Sequence, residues 1–500
     1  MDSQPFSAFK LSIFILNVIP IFLLASRSLA ADASYATPAS KETICKFTPN
    51  PSYCKYILPN HTTNVCDYGR YAVRKSLSQS HKLLNLVNKY LQRNSTLSKS
   101  AVHALQDCQL LAELNVDFLA SSLETLNNTN QTLPSSKAED VHTLLSAVLT
   151  NQQTCLDGVQ ETSSSSSSWG NLQNGLSVLL SNDTNLYSVS LALFTKGWVP
   201  KKKDEEAITW RKQILHNVDD VLVRGTVTVS QDGSGNFTTI NDAVTAAPNS
   251  TKGLKGYFLI YIKAGVYEEY VNVAKNKNYL MMIGEGINKT VITGNRSVVD
   301  GWTTFNSATF VVVAPCFVAV NMTFRNTAGA IKHQAWTSYS ETQQLYSKTC
   351  NIYPRLPMRG QFNAITAQGR TDPNQNTGIS IHNCTIRAAD DLASDNGTTK
   401  TYLGRPWKEY STTIYMKSFI DGFIDGAGWN KWNGDFALST LYYAEYKNKG
   451  PGSNTSSRVT WPGYHVLKKA KEAKKFTVSY FLLGKKWLPQ TGVPFSGGLI

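Results

Sequence analysis

The stretch Asn321-Met322-Thr323-Phe324-Arg325 recurs as Asn383-Cys384-Thr385-Ile386-Arg387, with Cys350-Asn351-Ile352 between them in a similar setting. Each copy sets an apolar residue and a short β-forming run behind a polar turn. Met322 to Cys350 is 28 residues and Cys350 to Cys384 is 34. Irregular repeats of one short apolar strand and a long turn point to the coils of a parallel β-helix. A sandwich is the alternative, but an Asn ahead of an inward apolar residue suits stacked Asn turns better.

On both sides of this repeat the chain keeps the same period. From Thr226 onward, Thr226–Val229, Tyr257–Ile262, Val291–Thr293, Phe310–Val313 and Ile379–His382 read as strands separated by Gly, Asn and Asp. Long helical stripes are nearly absent until Lys468–Lys475. Residues 31–190 behave differently. Val141, Leu144, Leu145, Val148 and Leu149 fall on one helix face, as do Val102, Leu105, Cys108, Leu111 and Leu114. Several such stripes predict an up-and-down helical bundle. The Ser163–Ser168 run reads as a loop.

The 500 residues are 42% hydrophobic and 17% charged, which excludes a mainly disordered chain and allows more than one domain. The net charge of +14 favours an acidic partner: nucleic acid, anionic lipid or acidic polysaccharide. Lys468, Lys469, Lys471, Lys474 and Lys475 form the strongest cationic cluster. No nucleic-acid motif accompanies them, so nucleic acid is not the expected partner.

Residues 1–30 read as a secretory signal: Lys10, an apolar run from Leu11 to Ala25, then Ser28-Leu29-Ala30. The run is interrupted and short for a spanning helix, so a secreted, extracellular protein with no membrane anchor is expected. Thirteen Asn-x-Ser/Thr sequons agree with export and a glycoprotein. Eight cysteines in an exported chain suggest disulfides, and Cys45 and Cys54 are close enough for a local loop. No CxxC occurs, and a structural zinc site is not expected.

Several motifs carry a family resemblance. Gly265-Val266-Tyr267-Glu268-Glu269, Asp232-Gly233-Ser234-Gly235-Asn236-Phe237, Thr366-Ala367-Gln368-Gly369-Arg370-Thr371-Asp372, Leu403-Gly404-Arg405-Pro406-Trp407 and Trp487-Leu488-Pro489-Gln490-Thr491-Gly492 resemble the motifs of plant pectin methylesterases. The N-terminal region resembles the invertase/pectinesterase-inhibitor domain that precedes the enzyme in the longer members. The resemblance implies a signal peptide (1–30), a four-helix inhibitor-like bundle (31–196), a basic processing linker (197–220) and a right-handed parallel β-helix (221–500). In the linker, Arg211-Lys212-Gln213-Ile214-Leu215 is similar to the dibasic processing motif. The resemblance also implies the pairs Cys45–Cys54 and Cys108–Cys155, leaving Cys66 unpaired.

What the resemblance implies for chemistry is hydrolysis of methyl esters on polygalacturonate in the cell wall, with methyl-esterified pectin as partner and no metal or organic cofactor. One Asp attacks the ester carbonyl, a second acts as general acid and then base, and glutamine amides stabilise the oxyanion. Carried over residue by residue, Thr304 is a substrate-contacting Thr and Gln334 the first oxyanion glutamine. Arg405 orients the nucleophile, and Trp407 stacks on a sugar. By composition alone Arg405 reads as a surface Arg and Trp407 as a core aromatic.

The pattern then breaks. Past Ala335 the chain runs Trp336-Thr337-Ser338-Tyr339-Ser340-Glu341-Thr342-Gln343-Gln344-Leu345-Tyr346 and rejoins the family pattern at Asn351. No aspartate lies between Gly301 and Thr371, and Glu341 is the only acid there. Both catalytic aspartates, the second oxyanion glutamine and one cysteine, the usual partner of Cys350, are missing. Asp390 and Asp391 read as turn or capping residues. The expected β-helix is therefore about two rungs short. The abrupt junction points to a lost segment rather than an evolved pseudoenzyme. An incomplete esterase is the first functional reading. A non-catalytic pectin-binding or inhibitor-like protein is the second, and the bundle is expected to act in cis.

Overall fold

A computed structural model describes residues 37–92, 97–129, 131–162, 167–200, 223–250, 256–303, 305–314, 316–332, 338–340, 344–348, 350–395, 397–491 and 495–499. The expected signal and most of the expected linker lie outside them. Four long helices, α1 (Val65–Leu91), α2 (Lys99–Asn127), α3 (Ser135–Glu161) and α4 (Ser167–Trp198), form the bundle. Asn64 starts α1 by accepting from Asp67 N, and Ser98 starts α2 by accepting from Ala101 N. The stripes that define the helix period are buried: Leu105, Leu111 and Leu114 on α2, Val141, Leu145 and Val148 on α3. Disulfides join Cys45 to Cys54 and Cys108 to Cys155, the second tying α2 to α3. Cys66 is buried as a free thiol, and burial pushes it up to about 11. Two details differ from the sequence reading. Ser167 and Ser168 belong to α4 rather than to a loop, and α4 runs on to Gly197 and Trp198. Trp198 is fully buried and stacks on Phe194, which keeps the helix going past residue 196.

The bundle also buries a carboxyl. Asp183 on α4 is 3% exposed, its Oδ2 has no partner, and burial pushes its pKa up to about 7. Gln79 and Lys82 of α1 and Tyr187 of α4 face it. The folded state holds a proton that the unfolded chain releases near an ordinary carboxylate pH. Its stabilising effect is therefore complete below about pH 4 and is lost as pH rises toward 7. The loss is on the order of 4 kcal/mol at most. Urea titrations of wild type and Asp183→Asn at about pH 4.5 and about pH 8 check this. The variant is expected to lose markedly less stability between the two. Equal pH slopes would contradict it.

Among the described residues, every paired strand of the β region is parallel to its neighbour. Its first stack has three sheets. One runs β1 (Val223–Val229), β2 (Tyr257–Ile262), β5 (Leu280–Gly284), β8 (Val318–Val320). The second runs β3 (Gly265–Glu268), β6 (Thr290–Gly294), β9 (Thr323–Asn326). The third runs β4 (Val271–Val273), β7 (Phe310–Val312), β10 (Ser338–Ser340). A second stack repeats the plan. Its sheets are β11 (Gln344–Lys348), β14 (Gly378–His382), β17 (Thr412–Met416), β19 (Tyr442–Tyr446), β20 (Tyr464–Val466); β12 (Asn351–Ile352), β15 (Thr385–Ile386), β18 (Phe419–Ile420); and β13 (Asn363–Thr366), β16 (Thr401–Gly404). This is the parallel β-helix that the repeat predicts.

The corners explain the repeat. Asn321 and Asn383 both have φ of 55°, the left-handed conformation that Asn tolerates better than most side chains. Each turns the chain so that the next residue faces inward: Met322 packs against the first core and Cys384 sits in the second. The motif Gly265–Glu269 is structural too. Tyr267 is buried, and the Glu269 carboxylate accepts from the backbone N–H groups of Ile240 and Asn241, capping the helix Ile240–Ala246.

Between the two stacks the ladder stops. β10 pairs back onto β7 and β11 pairs forward onto β14. Among the described residues no strand of one stack pairs with a strand of the other. Among the described residues, the usual solenoid support of each rung on its neighbour does not cross the junction. Cys350 is not left isolated there. Its N–H lies 3.4 Å from Cys384 Sγ, because β12 and β15 stack in register.

Candidate active-site groove and the helical domain above it

Arg405 and Trp407 follow directly from β16. The strand end is held by Arg405 N donating to Thr366 O and Asn430 N donating to Gly404 O. Gly404 is required here: a Cβ would lie 2.2 Å from Thr366 Oγ1. The Arg405 guanidinium packs 4.2 Å from the Trp432 ring and 5.5 Å from Phe362. Its Nε is buried without a hydrogen-bond partner, and burial lowers its pKa. Among the described residues, no carboxylate pairs with it. An arginine in this setting normally has an acid opposite it, because an unpaired buried charge is costly.

The neighbouring acids are committed elsewhere. Asp372 is 3% exposed; its Oδ1 accepts from Asn374 N at 2.7 Å and its Oδ2 from Ser188 Oγ of α4. Arg370 donates through Nε to Asp372 O, and Gln368 accepts from Thr412 N at 2.8 Å, so this motif builds the turn. Asp391 accepts from Leu392 N and pairs with Arg355, and with Asp390 it opens the short helix Asp390–Ala393, as a turn role requires. Thr304, Gln334 and Glu341 lie outside the described residues. Among the described residues, then, Arg405 and Trp407 follow the same strand, and no carboxylate pairs with the Arg405 guanidinium. No cluster of ligands for a metal ion occurs among the described residues.

Sequence reasoning missed what covers the groove. Trp407 lines a narrow cleft with Asp107 of α2, Asp157 and Glu161 of α3, and Phe305. Next to it Lys408 Nζ meets Asp157 Oδ1 at 2.7 Å, both side chains mostly buried. The bundle touches both stacks. On the first, His103 stacks on Trp302 with centroids 4.4 Å apart, Asp107 accepts from Thr303 and Asn306, and Phe305, Ala308, Val311 and Val313 join the bundle's own core. On the second, His142 Nε2 lies 2.6 Å from Asn374 O and Gln375 Nε2 donates to Ser146 O at 3.1 Å. The helices therefore straddle the gap in the ladder. These partners are roughly two hundred residues apart in sequence, and no local pattern marks them.

Comparison with known proteins agrees with the geometry. The family model described as Pectinesterase matches residues 226–347 and 342–485, two segments that meet at the junction. The model described as Plant invertase/pectin methylesterase inhibitor matches residues 39–193. "Probable pectinesterase/pectinesterase inhibitor 7" of Arabidopsis thaliana is 50% identical over 577 aligned positions, covering 96% of this chain and 99% of its own length. "Pectinesterase 2" of Citrus sinensis is 38% identical, covering 97% of this chain and all of its own length. The structure of a pectin methylesterase from carrot superposes with a TM-score of 0.50 at 44% identity, covering 55% of this chain and 98% of that one. The chain belongs to the pectinesterase family, with a helical domain of the plant invertase/pectin methylesterase inhibitor family ahead of the β-helix.

Proposed function

We propose that this protein is a pectin methylesterase of the cell wall whose catalytic carboxylates are absent from the present chain. The overall reaction of a complete member is ester plus water giving carboxylic acid plus methanol. Arg405 is the group that would orient the nucleophile, and Trp407 the platform for a sugar ring. Thr304 and Gln334 would supply substrate and oxyanion contacts. The carrying observation is Arg405: a half-buried guanidinium, held between two aromatic rings, with no acid paired to it among the described residues. The alignment of 577 positions against a 500-residue chain supports a lost segment, as does the family match in two segments that meet at residues 342–347. Methanol release from methyl-esterified pectin tests the reading, run beside a chain in which the missing segment is restored. Release by the restored chain alone supports it; no release by either contradicts it.

The bundle acts in cis on this groove. Its supporting observation is the cover over Trp407 and the buried Asp157–Lys408 pair. Asp157→Lys puts two cations face to face and is expected to loosen this docking by about 2–5 kcal/mol, the range for a broken desolvated pair. Titration of Trp fluorescence with methyl-esterified oligogalacturonide measures the consequence. Binding at least about tenfold tighter than wild type is expected. Unchanged affinity, with amide exchange showing the helices released, would refute the cover. The basic linker and the apolar N-terminus fit export and processing, in agreement with a secreted glycoprotein. Among the described residues, no helix is long and apolar enough to cross a membrane.

A further inference from the structure

We propose that a ridge of lysines on another face of the β-helix holds de-esterified galacturonan, separately from the groove at Arg405. The ridge is set by strand register. Asn383, Lys417 and Lys447 all occupy left-handed corners, with φ of 55°, 48° and 48°, immediately after β14, β17 and β19. Their stacking is direct: Asn383 N donates to Met416 O, and Lys417 N to Tyr446 O. The next rung continues it. Glu445 pairs with Val466 and Leu467 N donates to Glu445 O, which places Lys468 opposite Lys447. Three successive rungs therefore carry the half-buried Lys417 and the exposed Lys447 and Lys468 at the strand repeat of about 4.8 Å. A left-handed corner costs lysine more than asparagine, so these two positions keep a cation against local backbone preference.

The surroundings widen the ridge. Lys449, Lys471, Lys474 and Lys475 are exposed beside it, on the β19 turn and the helix Ala470–Lys474, whose Ala473 is buried against the same sheet. From residue 440 to 475 the only acids are Glu445 and Glu472. Glu445 is buried and paired with Arg458, and Glu472 is tied to Lys469 at the helix start. Among the described residues, Lys447, Lys449, Lys468, Lys471, Lys474 and Lys475 are in no ion pair with a carboxylate. Val466 is the one large exposed hydrophobic among the described residues of this stretch, too little apolar surface for membrane insertion. What fits a row of cations at a fixed short repeat is a linear polyanion with one carboxylate per monomer. A galacturonan stretch that has lost its methyl esters has that form; a fully methylated one is neutral. Arg405 and Trp407 follow β16, in a different sheet, so the two surfaces can engage separate parts of one polymer.

This rests on the galacturonan reading above, and binding distinguishes the two. The full-length chain is titrated with polygalacturonate, with fully methyl-esterified pectin and with phosphatidylserine vesicles, at several salt concentrations. Wild type is expected to prefer polygalacturonate, with affinity falling steeply as salt rises. The variant Lys447→Gln/Lys468→Gln/Lys471→Gln/Lys474→Gln, checked for native circular dichroism and Tm, is expected to lose about tenfold or more in affinity and to show a shallower salt slope. A control with the same loss of charge on other faces, Lys46→Gln/Lys55→Gln/Lys89→Gln/Lys289→Gln, all exposed positions, is expected to bind polygalacturonate nearly as wild type does. The proposal is overturned if the ridge variant binds like wild type, if the control variant loses as much affinity as the ridge variant, or if vesicles outcompete polygalacturonate for the ridge. Failure of the esterase reading would show instead as no methanol from the restored chain, which this titration does not measure.

Discussion

The present chain is expected to release methanol from methyl-esterified pectin roughly 10³-fold or more slowly than the same chain with the missing segment restored. The reason is the balance of the reaction. Attack on the ester carbonyl needs a carboxylate, and departure of methanol needs a proton from a second carboxyl on the other side. Between Gly301 and Thr371 the chain offers only Glu341, one acid for two roles. Asp372 cannot step in, because Asn374 and Ser188 already occupy its oxygens. On the proposed reading, the groove that remains would still bind sugar and keep Arg405 in place. In hydrolases stripped of their nucleophile, such residual groups leave about 10³–10⁴ over the uncatalysed rate, a small part of the whole. The comparison uses the segment of the Arabidopsis relative inserted between Ser340 and Gln344, with both chains assayed after linker cleavage. Turnover by the present chain within about tenfold of the restored one would overturn the assignment of the lost aspartates.

Arg458→Met is expected to destabilise the second stack by about 3–5 kcal/mol, the largest single-site loss of stability expected in the protein. Arg458 and Glu445 are each 2% exposed and meet through Nε and Oε1 at 2.8 Å. Glu445 also accepts from Tyr464 Oη at 3.0 Å and Trp429 Nε1 at 3.4 Å, while Arg458 donates to Gly426 O and Gly452 O. The network joins β19, β20 and two loops at the end of the stack, where no further rung supports them. Removing the guanidinium leaves a buried carboxylate facing only weak donors. Replacing both partners removes the orphaned charge, so Glu445→Leu/Arg458→Met is expected to recover part of the loss. Urea titration of the two variants, with Trp429 fluorescence as the probe, measures both. A single variant within about 1 kcal/mol of wild type would mean the pair adds nothing to the fold.

The junction and the bundle belong together. The two stacks share no strand pairing among the described residues, yet α2 grips the first and α3 and α4 grip the second. The helices therefore connect the two stacks where no described strands pair across them.

How much of this was legible beforehand follows from the range of each interaction. The strands at Tyr257–Ile262 and Phe310–Val313, the helices carrying Leu105 and Val148, and the Asn corners at Asn321 and Asn383 are written in short periods. Alternation, helical spacing and left-handed tolerance act over a few residues, so a chain shows them without folding. The lack of any aspartate between Gly301 and Thr371 was equally plain. By contrast, nothing near Arg405 in sequence announces Trp432 and Phe362 around it, and nothing near Lys408 announces Asp157. Cys350 is a free thiol, as the loss of its usual partner leads one to expect, and only rung stacking brings it beside Cys384. The sequence by itself determined the two architectures and their order. Tertiary structure alone decided that the helices lie over Trp407, that among the described residues the two stacks share no strand pairing, and that lysines from separate turns line up as one ridge. Those depend on complementarity between surfaces that the chain brings together only after each has folded.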